Sequence, residues 1–151
     1  MEPLELLLDT ESRQARLVFA YPSDSRGIGG PLIDGSLWVG RGPLRLEYRF
    51  VCYGYDLAEF AAALRGLHAD FGCPAEFANQ EGTVRVRLGP GGGRRGRVPA
   101  AVGVELLGEG CGWAELGGFA VEQSYLPGLA ASAERFLAES GVDLTHPMLR
   151  G

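Results

Sequence analysis

The sequence predicts an α+β fold: one or two twisted, mainly antiparallel sheets with two amphipathic helices packed on one face. Two observations carry this. Several short segments alternate apolar and polar residues with period two, the mark of strands with one face on a core and one in water. Two longer segments repeat apolar residues at helical spacing instead. A parallel sheet, buried on both faces, would read as continuous apolar runs.

Taken in order, Leu4–Leu8 is a short candidate strand, and Leu17, Phe19 and Tyr21 alternate in the next. Arg26–Ile33 (RGIGGPLI) reads as a glycine-rich break, and Ser36–Gly40 as a strand. In Leu44–Phe50, Leu44, Leu46, Tyr48 and Phe50 face one way, and Arg45, Glu47 and Arg49 the other. Leu57, Phe60, Ala61, Leu64, His68 and Phe71 then share a helical face. Asp56 is expected to cap this helix, with Glu59 completing a capping box, and Gly72 to stop it as a left-handed C-terminal glycine.

Val84, Val86 and Leu88 alternate with Arg85 and Arg87, and Val102, Val104 and Leu106 with Gly103 and Glu105. The stretch between them, Gly89–Arg97 (GPGGGRRGR), reads as a long hairpin loop. Phe119 and Val121 mark a last strand. Leu126, Leu129, Ala130, Ala133, Phe136 and Leu137 form the second helical face, with Pro127 in its first turn and Gly141 as its C-cap.

The two helices look like copies. A shift of 69 residues lays Phe50 on Phe119, Leu57 on Leu126, Ala61 on Ala130 and Ala62 on Ala131. The expected strand–helix pseudo-repeat covers 44–72 and 116–141.

Composition bounds the function. A chain of 151 residues fits a single domain, 1–151, and can build a core without staples. With 46% hydrophobic and 22% charged residues, disorder, collagen and coiled coil are excluded as whole-chain readings. No apolar run approaches the roughly 18 residues of a membrane span. The net charge is −5, which repels nucleic acid at long range and suits a basic protein partner. All 14 basic residues are Arg, a chain-wide bias that no single site explains. Cys52, Cys73 and Cys111 are odd in number and widely spaced, so neither a zinc site nor a disulfide framework is expected. The opening MEPLELLLDTE lacks a basic region and a cleavage site, so the expected location is the cytoplasm.

No motif specifies a reaction, and no catalytic residue, cofactor or metal is assigned. Gly108, Gly110 and Gly112 lead towards a strand rather than a helix, so they read as a turn and not a phosphate loop. Arg94, Arg95 and Arg97 lack interleaved aromatics to stack bases, so that cluster reads as a solvated loop. His68 reads as a core or boundary residue and His146 as exposed. Glu47, Glu105 and Glu122 lie on polar strand faces, where they offset arginines more readily than they form an acid–base pair.

The polar sheet face is the candidate site. Two helices roof only one side, leaving Arg45, Arg49, Arg85 and Arg87 outside with Trp38, which is out of phase with Leu37 and Val39. Trp beside Arg is the composition of a binding hot spot. The competing expectation is a second layer of N-terminal strands that buries Trp38.

The strand LRLEYRF leading into the helix DLAEFAAALRGL, followed by hairpins and a closing FAVEQSYLPGLAASAERFL, resembles the bacterial WapI-type immunity proteins and related domains. The likeness spans residues 4–138 and rests on the order of elements and the strand–Tyr–Leu–Pro–helix–Phe–Leu ending. It implies a non-catalytic protein that binds and neutralises a toxin domain, with no family catalytic residues to carry over. The Gly/Arg loop and the absence of Lys depart from the family pattern. Two other readings stand beside it: a small-molecule or enzymatic pocket between sheet and helices where Glu and His68 converge, and a homodimer through the open sheet face.

Overall fold

Period-two alternation becomes two antiparallel sheets in the computed structural model, which describes residues 3–9, 14–21, 26–27, 30–41, 43–91, 96–105 and 112–139. The first half contributes β1 (Leu4–Asp9), β2 (Gln14–Ala20), the two-residue β3 (Arg26–Gly27), β4 (Gly30–Arg41), β5 (Leu44–Tyr53) and α1 (Gly54–Ala69). The second contributes β6 (Ala75–Ala78), β7 (Val84–Leu88), β8 (Arg97–Glu105), β9 (Trp113–Glu122), a 3₁₀ turn at Gln123–Tyr125 and α2 (Leu126–Glu139). The first sheet pairs β1–β2–β4–β5, with β3 on the start of β4; the second pairs β6–β7–β8–β9. Every pairing is antiparallel.

The alternation sets which side chains meet. Leu6, Leu17 and Leu37 lie in one register row on the inner face, while Leu7, Arg16, Trp38 and Glu47 form the adjacent outer row. In the second sheet Phe77, Val86 and Val102 align inside, and Arg85 stands opposite Gly103 outside. A one-residue slip would exchange the faces, so burial of the apolar set fixes the register.

Inner faces and helices contribute to one buried cluster. Phe77 is at its centre, 5.2 Å from Phe19, 5.9 Å from Phe50 and 5.8 Å from Phe60, ring centre to ring centre. It therefore joins β6 to the first sheet and to α1. Asn79, buried in the turn after β6, accepts from the Val84 N–H and donates to Thr83 Oγ1 and the Val51 carbonyl. One side chain thus closes the β6–β7 hairpin and ties it to β5. The strand β6 (AEFA) escaped the sequence reading because two of its four residues are alanines, which carry little alternation signal.

The offset of 69 residues reaches beyond the strand–helix pair. It carries β5 onto β9 end for end, and places β1, β2 and β4 over β6, β7 and β8. Both halves run through an antiparallel meander into a helix. Where the helices touch, Arg65 Nε meets Glu134 Oε1 at 2.5 Å, and these two residues are themselves 69 apart.

Several local expectations are corrected. The first helix starts earlier than its apolar spacing implies. Its N-cap is Tyr53, and Asp56 is the reach-back partner, accepting the Tyr53 N–H at 2.9 Å. Gly72 is not a left-handed cap; the helix ends at an extended Asp70, whose carboxylate accepts the Gly72 N–H. Arg26–Ile33 is not simply a break, since Leu32 and Ile33 belong to β4 and Ile33 is fully buried. His68 is exposed, against Phe71, rather than in the core. Gly108, Gly110, Arg94, Arg95, Cys111, Gly141 and His146 lie outside the described residues.

Candidate functional site: the outer faces of the two sheets

The polar strand residues are split between two surfaces. Trp38, Arg45 and Arg49 lie on the outer face of the first sheet, whereas Arg85 and Arg87 lie on that of the second. Period two places a residue inside or outside its sheet but does not say which sheet it joins. Strands β1 and β2 extend the first sheet edgewise instead of folding over it, so Trp38 remains half-buried on an outer face.

On the first sheet the charges answer one another. Arg16 Nε pairs with Glu5 Oε1 at 2.7 Å and Arg49 Nε with Glu47 Oε1 at 3.6 Å. The Arg45 guanidinium stands over the Trp38 ring, 5.6 Å from its centre, a cation–π arrangement. A concavity of about 430 Å³ lies on this face, bordered by Val18, Asp34, Trp38, Arg49 and Val51. Its floor passes over Gly35, where a Cβ would collide with the Phe50 ring on the inner side. Apolar groups are exposed here: Leu7 is 51% accessible and Val51 38%.

The second sheet carries the tryptophan that the sequence reading missed. Trp113 is 42% accessible, and its indole lies across Gly103 where any Cβ would strike it. Arg85 stands over the indole, 5.5 Å from its centre. A depression of about 230 Å³ is bounded by Glu76, Arg85, Arg87, Gly103, Trp113 and Glu115. A register shift between Ala100 and Val102 occurs at its edge; such bulges re-aim side chains and are common beside functional sites. The available signal for Trp113 was its spacing from Glu115, two residues along the same strand face, but Gly112 and Gly117–Gly118 obscured the strand.

The carboxylates do not form a catalytic pair. Glu122 pairs with Arg97 at 3.3 Å, at the opposite end of the β8–β9 ladder from Glu105, and Glu47 belongs to the other sheet. Burial, then the Asp56 and Asp34 carboxylates, hold the Cys52 thiol protonated well above its ordinary range. A hydrogen bond to Asp70 also raises the pKa of the exposed Cys73. Neither thiol is activated as a nucleophile. Among the described residues no cluster of His, Cys, Asp and Glu could hold a metal ion, and no helix is long and apolar enough to cross a membrane. A notch of about 240 Å³ between β1 and α2 brings Glu5, Arg135 and Glu139 together but does not include His68. No family model matches the chain, and no curated protein matches it.

Proposed function

We propose that this protein is a non-catalytic protein-binding module of the immunity type, neutralising a toxin domain in the bacterial cytoplasm. The observation that supports this reading is the pair of outer sheet faces, on each of which an arginine stands over a tryptophan, with Leu7 and Val51 exposed on the first. Aromatic, Arg and aliphatic groups concentrated on open strands suit a protein interface better than a reaction centre. An acidic chain favours encounter with a basic toxin domain. The free Cys52 and Cys73 thiols fit a reducing compartment.

The test is co-expression with the toxin domain encoded beside the protein's own gene, together with a titration of the two purified proteins. Survival of the cells and a stable complex are expected. A toxin that kills regardless, with no complex on size exclusion, overturns the proposal.

A further inference from the structure

Resting on the protein-binding reading, we infer that the depression between Arg85, Arg87 and Trp113 is the subsite that captures a carboxylate side chain of the partner protein. At the far end of the second sheet Arg97 has Glu122, and on the first sheet Arg16 and Arg49 have Glu5 and Glu47. Arg85 and Arg87 are exposed; Glu76 stands across the β6–β7 ladder from Arg87, yet neither arginine lies within ion-pair distance of a described carboxylate, and on the first sheet the same holds of Arg45. They are two positions apart on β7, so both guanidiniums rise from one face of one strand.

The space between them is built. Their partners across the β7–β8 ladder are Gly103 and Ala101, the smallest side chains available, so the arginines stand above a low floor. Trp113 lies on Gly103 and forms one wall, with Arg85 over its ring. A guanidinium over an indole can still turn two N–H groups to a planar carboxylate, the geometry of bidentate capture. Glu76 and Glu115 on the rim oppose a run of negative charge. A single carboxylate flanked by apolar groups fits; a polyanion does not. The exposed indole face accepts the flanking apolar side chain.

The experiment uses the full chain carrying Trp38→Phe, so that Trp113 is the sole fluorescent indole. It is titrated with the blocked peptide Ac-Leu-Glu-Leu-NH2, with its Gln counterpart and with succinate. Saturable quenching by the Glu peptide is expected, weakened at least roughly tenfold by Arg85→Gln/Arg87→Gln and unaffected by Arg45→Gln/Arg49→Gln, which removes the same charge. Equal binding of the Gln peptide overturns the inference, as does succinate binding as well as the Glu peptide, or the absence of saturation. The cognate toxin domain separates the two levels. If the complex survives Arg85→Gln/Arg87→Gln but is lost with Arg45→Gln/Arg49→Gln, the protein-binding reading stands and this subsite assignment falls. If no complex forms with the unmodified protein, the broader reading fails.

Discussion

The outer faces of the two sheets are made from the same materials and finished differently. Each has a tryptophan with an arginine above it, at 5.6 Å on the first sheet and 5.5 Å on the second. On the first, Trp38 is half-buried in the middle of the register, between Arg16 and Glu47, with two neighbouring ion pairs. On the second, Trp113 is near a strand end, lies on a glycine and borders two arginines without a described ion pair. An open polar strand face is therefore not a site by itself. Two arginines on one strand face, outside ion-pair distance of a described carboxylate and beside an exposed indole, are what leave free energy available for a partner.

The strongest way to break this contrast is to show that the sheets are independent bodies. Phe77→Ala removes the ring that touches Phe19, Phe50 and Phe60, and is expected to cost about 3–5 kcal/mol. Because Trp38 reports on one sheet and Trp113 on the other, urea transitions of single-Trp variants are expected to move together. Separate midpoints would refute the shared core.

The two glycines under aromatic rings sharpen it next. Gly35→Ala drives a methyl into Phe50, a ring confined by the core, and is expected to cost about 1–3 kcal/mol. Gly103→Ala meets Trp113, which can swing into water, so the expected loss is about 1 kcal/mol or less, with a red shift in Trp113 emission. Equal losses at both positions would contradict the assignment of one ring to the core and the other to the surface.

Smaller effects test how the first half is joined to its helix. Asp56→Ala removes the acceptor for the Tyr53 N–H and is expected to cost about 1 kcal/mol. Asp56→Asn keeps an acceptor and removes a buried charge. Burial is the main cause that raises the Asp56 pKa, with Glu59 adding to it, while the Tyr53 N–H opposes the rise. The folded state thus holds this proton more tightly than the unfolded chain, and the contribution is lost as pH rises through the raised value. Asp56→Asn is expected to match or exceed the unmodified protein at pH 7, its advantage disappearing on acidification towards the ordinary Asp range. A variant that is weaker at neutral pH would reverse that sign. The smallest effect is expected from Arg65→Gln, whose exposed pair with Glu134 is screened by salt. Its urea midpoint is expected to coincide with the unmodified protein in 1 M NaCl.

Much of the fold was legible. Val84, Val86 and Leu88 are all fully buried, as their alternation with Arg85 and Arg87 implied, and Leu57, Phe60, Ala61 and Leu64 line the buried face of α1. His68 misled because helical spacing places a residue only to within a wide stripe, and this one fell at the stripe's solvent edge. The helix start misled because Asp56 suits both the cap and the third position, and only the hydrogen bond to Tyr53 distinguishes them.

Alternation and helical spacing are properties of neighbouring residues, so the sequence by itself determined which side of the clearly alternating strands is greasy, that two helices form and which arginines stay in water. Which strands share a sheet, that Trp113 rests on Gly103, and that Arg85 and Arg87 face Gly103 and Ala101 across the β7–β8 ladder depend on residues far apart in the chain. Those were decided by the packing of two sheets around Phe77, because only the pairing of distant strands sets which side chains become neighbours.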